Sequence, residues 1–486
     1  MAYAFGTGRI NLHFHIVVYA GQMQADHLVA KVFSFSSEFR PRAYLMERPG
    51  PETIMPFEQR SALPRKIAVI GGGISGLGAA HMLSDTHLVT LFEAAPQLGG
   101  HARTVVAGKR GDQPVDMGFI VFNKVNYPRL TDLFDRLDVP VAKSDMSFGV
   151  SIGGGAMEYA LSGLDALFAQ RRHAVSPAFL RMVRDIFRFN AQAEAAVTGP
   201  DMTVGELLDA LGMGPWFREY YLLPFSGAIW STPKHRILDF PAYAMVNFFR
   251  NHNLLSHSGQ HQWYTVRGGS VEYVRRLEGS LRRRGVEIRT GCPIKAVRRD
   301  GLGARVTPVG GLGEQFDEVV FATHSDDSLR LLSDARPHER QALSQIRYQP
   351  NEVVLHADPS LMPRRRKVWS SWVYTEDGTA PSDVIDLTYW MNSLQPIPQD
   401  DPLFVTLNSR RPIREDLIHD QQTMRHPVYD AGALAAQEDI RSWNGEANTW
   451  FCGAWMKNGF HEDGLASAAD VAEAMAARAI LPVAAE

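Results

Sequence analysis

Apolar positions follow two different periods along this chain. Lys66-Ile67-Ala68-Val69-Ile70 is a short, nearly continuous apolar run and predicts a buried strand. Residues 77–83, with Ala79, Ala80, Met82 and Leu83, predict a helix, and Leu88-Val89-Thr90-Leu91-Phe92 a second strand that ends at Glu93. Leu130, Leu133, Phe134 and Leu137 fall on one helical face within residues 127–137, and residues 179–189 and 271–284 read likewise. Strands are expected at 285–289, 294–297 and 316–323, and successive antiparallel strands at 352–356, 370–374, 388–392 and 404–408. Near the end, residues 449–455 hold a short strand that runs out at Gly453. A glycine-rich turn over 458–468 then leads into a last helix.

At 486 residues the chain fits two intertwined domains better than one ordinary core. A 45% hydrophobic and 21% charged composition is that of a globular protein. The net charge of -3 gives no electrostatic case for nucleic acid. Two cysteines, Cys292 and Cys452, exclude a disulfide framework and a four-thiolate metal site. His13 and His15 stand in an unpromising segment and no H-E-x-x-H occurs, so no metal is expected. No apolar run reaches the roughly 20 residues that span a bilayer. The cytoplasm is the expected location, with peripheral contact to the membrane's inner face left open. Residues 1–64 read as an N-terminal extension with a linker-like end (Pro49, Pro51, Pro56, Pro64), or as a start placed too early, with Met55 the natural beginning.

The chemistry starts between the first two strands. Gly71-Gly72-Gly73-Ile74-Ser75-Gly76 lies at a strand-to-helix turn. Gly71 permits the turn, Gly73 lets backbone approach a pyrophosphate, and Gly76 lets the helix pack on the strand. The N–H groups around Ile74 and Ser75 face that anion with the positive end of the helix. Glu93, 20 residues after Gly73, suits the ribose hydroxyls and favours a free 2′-hydroxyl. This is a Rossmann-type dinucleotide unit, and by itself it does not separate NAD from FAD.

Glu93-Ala94-Ala95-Pro96-Gln97-Leu98-Gly99-Gly100-His101-Ala102-Arg103-Thr104 resembles the extended motif of the flavin amine oxidase and phytoene desaturase superfamily. There a Gly-Gly-Arg turn passes beside the flavin. Here His101 stands in the arginine's place, and Arg103 is a candidate to compensate. Val115-Asp116-Met117-Gly118-Phe119 is similar to the family's next strand and turn, where the chain meets the flavin again. The strand pair around Ile294 resembles the one that closes over the adenine, and the stretch ending at Ala322 the family's buried Asp-x-Val-Val-x-Ala strand. Gly453, Gly464 and Leu465 match the segment that returns a helix N-terminus to the flavin ring. The resemblance implies FAD. It also implies an α/β fold with a discontinuous Rossmann-type FAD-binding domain (65–122, 262–324, 445–486) and a discontinuous α+β substrate domain (123–261, 325–444). Gly-Gly-His after the acid and Gly-Phe-His-Glu-Asp-Gly near the end are similar to a bacterial amine-oxidase-like subgroup associated with modified fatty acids.

The resemblance places Tyr389 and Trp390 in the roof of a substrate cavity, although both equally suit plain packing. His461 is a candidate polar group beside the flavin ring, and no catalytic lysine aligns. An aromatic, apolar second domain suits a lipid or acyl-chain substrate. Three functions follow: a flavin desaturase or oxidase of acyl chains, an amine oxidase producing hydrogen peroxide, or a non-catalytic flavoprotein partner of a lipid-modifying enzyme. Pro363-Arg364-Arg365-Arg366-Lys367, the one dense basic run, is either a solvated turn or a docking patch for anionic membrane. Oligomeric state stays open.

Overall fold

A computed structural model describes residues 64–256, 259–377 and 384–480. The expectations for the N-terminal extension and for Met55 lie outside these residues. A five-stranded sheet has the spatial order Glu287–Arg289, Leu88–Phe92, Lys66–Ile70, Glu318–Phe321, Thr449–Phe451. All its pairings are parallel. Parallel strands are covered on both faces, which is why Ile67 to Ile70 are all buried.

One face packs on helices Ile74–Leu83, Val271–Arg283 and His461–Ile480, with Leu77, Leu277 and Leu465 in one core. Gly78 brings the first and last of these together, since a Cβ there would lie 2.5 Å from Leu465 Cδ1. The other face packs on helices Pro337–Gln345 and Ala431–Trp443 and on a small antiparallel sheet over residues 294–316. Beyond the expected boundary at residue 122, helix Pro128–Arg136 packs on the final helix, so Leu130, Leu133 and Phe134 join the nucleotide-side core.

The second sheet has seven strands in the order Ile418–Val428, Arg347–His356, Phe404–Leu407, Asp386–Trp390, Trp372–Glu376, Phe148–Ile152, Met157–Ala160. The four expected strands pair antiparallel among themselves. Phe148–Ile152 adds to them in parallel from the first insertion. One side of this sheet and helices Pro177–Ala196, Leu223–Trp230 and Ala242–Asn251 enclose a core rich in phenylalanine, tryptophan and methionine. Leu223–Trp230 follows a π-helical turn at Arg218–Leu222.

Two elements differ from the sequence reading. The stretch 316–323 is two strands, Glu314–Phe316 and Glu318–Phe321, in different sheets. Asp317 breaks it by donating its N–H to Lys66 O (2.8 Å) while its carboxylate accepts from Lys66 N (2.6 Å). The stretch 388–392 ends as a strand at Trp390, and Met391–Leu394 is a helical turn. Cys292 and Cys452 are both free. Among the described residues no helix is long and apolar enough to cross a membrane.

Candidate functional site

At the carboxyl end of the nucleotide sheet two glycine turns face each other. Gly71 leaves its strand at φ +110°, and a Cβ there would lie 2.6 Å from Ala322 O. A Cβ on Gly76 would lie 1.8 Å from Gly71 O. Gly73 differs: the nearest atom to its virtual Cβ is Gly100 Cα at 4.0 Å. Two of these glycines are therefore forced by packing, while Gly73 borders open space. Helix Ile74–Leu83 starts there with no side-chain cap and no acid in its first turn. Its first N–H groups, at Ile74 and Ser75, make the mouth a site for an anion.

The second turn closes on the first. Gly99 N donates to Gly72 O (2.9 Å), and Gly100 packs against Gly73. Glu93 is fixed at the strand end, accepting from Gly72 N at 2.6 Å and Ala95 N at 2.7 Å. Each carboxylate oxygen keeps a lone pair for a further donor. Ala94 follows on the exposed side of this bend. The loop leading to Ile294 folds onto the same place, with Cys292 N donating to Glu93 O (2.9 Å) and Gly291 N to Ala95 O (2.7 Å).

The final helix brings a second N-terminus to the mouth. A Cβ on Gly464 would meet Ser75 Oγ at 2.8 Å and Ile74 Cγ2 at 2.9 Å, and Leu465 is buried behind it. Gly453 N donates to Ser467 Oγ (2.9 Å), tying the end of the last strand to this helix. His461 stacks on Phe119 (3.9 Å, 11°) and shares a 2.6 Å hydrogen bond between Nε2 and the Tyr273 hydroxyl. Gly118 is pressed so close that a Cβ would lie 2.1 Å from His101 O, which accepts from Phe119 N (2.9 Å).

His101 is half-buried, and its Nε2, itself out of solvent, has no hydrogen-bond partner among the described residues. Around it lie His324 (5.9 Å between rings) and His426 (5.6 Å). Burial holds His101 below the usual imidazole range. It pushes His324, His426 and His461 down to about 3, so these rings are neutral at physiological pH. Nearby, the Arg425 guanidinium bridges Asp326 and Asp327.

Other expected site residues sit away from the mouth. Arg103, the candidate to replace the family arginine, is an ion-pair partner of Asp420 (2.8 Å) on the edge of the seven-stranded sheet. Thr104 is a staple: its hydroxyl donates to Asp116 (2.6 Å) and accepts from Val271 N (3.0 Å). Tyr389 and Trp390 point to opposite faces of their strand. Tyr389 packs edge-on against Trp372 (5.2 Å, 87°) over the aromatic core, while Trp390 lies with Trp369 and Arg366 on the far face. Trp390 thus leaves the set of candidate cavity residues, and Tyr389 and His461 belong to different cores.

Two polar residues escaped the sequence reading, His324 and His426, and a third, Asp116, was read only as part of a strand and turn. Asp116 is fully buried and accepts from Thr104 Oγ1, Ser270 N (2.8 Å), Ser270 Oγ (2.7 Å) and Gln395 Nε2 (3.0 Å). It joins the nucleotide side to the second sheet's helical turn. Burial pushes its carboxyl up to about 6 against these donors. His324 follows the last strand residue by a short step, the carboxyl-end position where ligands gather in parallel sheets, and that signal was readable.

The family model for flavin containing amine oxidoreductases matches residues 74–364. A coproporphyrinogen III oxidase of Mycobacterium tuberculosis is 46% identical over 63 residues, 12% of this chain and 13% of that protein. The match therefore spans a small part of the relative's length. A fatty acid isomerase of P. acnes superposes with a TM-score of 0.62 at 15% identity, over 84% of this chain and 98% of that one. Cyclohexylamine oxidase of Brevibacterium oxydans does so with 0.62 at 15% identity, over 85% and 100%. At such identities the structures share the fold.

Proposed function

Because the chain belongs to the flavin-containing amine oxidoreductases and is an FAD-dependent oxidoreductase, we propose that it oxidises or desaturates an acyl-chain lipid. Three features support seating the dinucleotide at the double glycine turn. Gly73 leaves a backbone cradle, two helix N-termini converge beside it, and His101 Nε2 is a buried polar atom lacking a partner. Ile74 and Ser75 N–H groups would hold the diphosphate, and Glu93 the ribose, with the Ile294 loop beside the adenine. Gly453, Gly464, Leu465 and Phe119 would border the ring. A bound flavin supplies a two-electron acceptor for a substrate C–H bond.

The observation that carries the substrate class is at the start of the final helix. Phe460, the neighbour of His461, stacks on Phe248 (5.0 Å) and packs against the aromatic core under the seven-stranded sheet. The ring end of the proposed cofactor site thus opens on apolar side chains, which exclude water and suit a hydrocarbon chain. Burial also keeps the Tyr273 phenol protonated and His461 uncharged, so their hydrogen bond fixes the imidazole plane without adding charge. The isomerase among the structural neighbours agrees that this fold admits a fatty-acid substrate.

The test is anaerobic bleaching of the flavin absorbance by the purified yellow protein. Phospholipids with unsaturated or branched acyl chains should bleach it, and simple amines should not. Bleaching by amines with peroxide release in air would replace this reading with amine oxidation. A flavin that neither class reduces would favour a non-catalytic partner.

A further inference from the structure

The edge of the seven-stranded sheet farthest from the histidine cluster is Met157–Ala160, since Ile418–Val428 with His426 forms the other edge. At that far edge the turn Gly153-Gly154-Gly155 borders a cavity of about 640 Å³ walled by Arg171, Arg172, Arg364 and Arg365. The basic run assigned from sequence divides here. Arg365 is a structural ion pair with buried Glu158 (2.7 Å), and Arg366 stacks on Trp369 (3.7 Å). Arg364 donates its backbone N–H to Glu158 (2.8 Å), but its guanidinium lies along Gly155 and forms no ion pair among the described residues. Arg172 bonds the Ala156 carbonyl and likewise has no carboxylate partner there. Asp165 is shared between Arg171 (2.6 Å) and Lys367 (2.7 Å). On the neighbouring helix Pro177–Ala196, Arg181, Arg184 and Arg188 all draw on one buried carboxylate, Asp185. A chain of net charge -3 therefore concentrates unneutralised positive charge at this edge.

The same elements expose large apolar side chains. Leu164 is 76% exposed and Val175 80%, with Leu161 at 39% and Leu180 at 43%. Helix Leu164–Leu167 packs against the turn Arg366–Val368, and the turn Arg171–Val175 against the start of helix Pro177–Ala196. Exposed leucine and valine occur elsewhere on the protein, as at Leu302 and Leu312, but here they stand on or beside the elements that carry the arginines. Together they suit the bilayer interface, where apolar side chains enter the acyl boundary while guanidinium groups bind lipid phosphates.

We propose that this edge is a docking face for anionic bilayer, with Leu164 and Val175 inserting and Arg172 and Arg364 holding lipid phosphates. The inference stands apart from the substrate reading, because it concerns where the enzyme sits and not what it oxidises.

Full-length holoprotein is co-sedimented with vesicles of equal parts phosphatidylglycerol and phosphatidylcholine, and with phosphatidylcholine alone. Binding to the anionic vesicles should be about tenfold tighter or more and should weaken as salt rises. Reversing both charges (Arg172→Glu with Arg364→Glu) should weaken it by about tenfold or more. Leu164→Gln with Val175→Gln should do the same at unchanged net charge of the face. Leu312→Glu, at a 90% exposed position on another surface, should change nothing. Flavin content and melting temperature monitor folding in each variant, so either pair suffices if the other misfolds. Equal binding to neutral vesicles, absent binding to anionic ones, or full binding by the folded variants overturns the proposal. Turnover is not the readout, so failure here leaves the acyl-chain assignment to its own test.

Discussion

The double glycine turn and the aromatic core under the seven-stranded sheet are built on opposite principles. At the turn the working surface is backbone. A Cβ on Gly76 or Gly118 would strike a main-chain oxygen, and main chain has no rotamer to yield with. Under the sheet the working surface is side chain. Phe225, Phe248, Trp230 and Met245 fill one another's gaps, and a hydrophobic residue of similar volume can replace any of them at modest cost. In the proposed reading the first region receives the cofactor and the second gives a substrate its shape and apolarity, and the second tolerates substitution where the first does not.

The sharpest way to break this contrast is a pair of glycine substitutions. Gly76→Ala puts its methyl 1.8 Å from Gly71 O, so the turn must open. We expect a loss of about 3 kcal/mol or more in stability, with no flavin retained. Gly73→Ala meets nothing nearer than 4.0 Å in the protein. It should melt within a few degrees of wild type yet bind flavin roughly a hundredfold more weakly, through lost backbone approach. Thermal melts and the flavin-to-protein absorbance ratio read both. Two variants with the same melting temperature would show that the glycines do not divide as stated.

Asp116 spans the two regions, and its titration measures the joint. Its folded-state value near 6 lies above the ordinary 3.8, so burial favours the protonated form. The associated stability is fully present below pH 4 and is lost as pH rises through about 6. Wild type should therefore lose on the order of 2–3 kcal/mol relative to Asp116→Asn between those limits, followed by denaturant unfolding. A difference that grows with rising pH would mean that the donors from Thr104, Ser270 and Gln395 outweigh burial.

His461→Gln probes the ring end of the proposed site. The neutral imidazole is fixed by Phe119 and Tyr273, and glutamine keeps a polar end without the ring. We expect kcat to fall about tenfold to a hundredfold, with KM and flavin content nearly unchanged. With its value near 3, His461 should contribute no inflection to the pH profile between pH 5 and 9. Tyr273→Phe should reproduce part of the loss, which a purely packing role for His461 would not.

How much of this was readable from sequence follows the same division. Gly71, Gly73, Gly76 and Glu93 were legible because each answers to a local constraint within a few tens of residues. The buried joining role of Asp116 was not, because its partners Ser270 and Gln395 lie 154 and 279 residues away. The parallel pairing of Phe148–Ile152 with Trp372–Glu376 leaves no local trace either. Arg103 read as a spare cofactor cation because spacing put it near the turn, but charge pairing with Asp420 decided where it went. Tyr389 and Trp390 are adjacent in sequence, and the strand's period of two separates them.

The smallest expected effect belongs to Tyr389, and it tests whether the two regions can be changed independently. Its phenol is raised by burial and does not titrate in the working range. Tyr389→Phe keeps the edge-to-face contact with Trp372 and removes only a hydroxyl, so stability should move by less than about 1 kcal/mol. Tyr389→Leu removes the ring pair as well, worth about 1 kcal/mol. Its main consequence should be a few-fold rise in KM for an acyl substrate, with kcat and the flavin ratio held. If Tyr389→Phe lowered kcat as far as His461→Gln does, the phenol would belong to the chemistry. If Tyr389→Leu emptied the protein of flavin, the apolar core would be supporting the glycine turns, and the independence of the two surfaces would be lost.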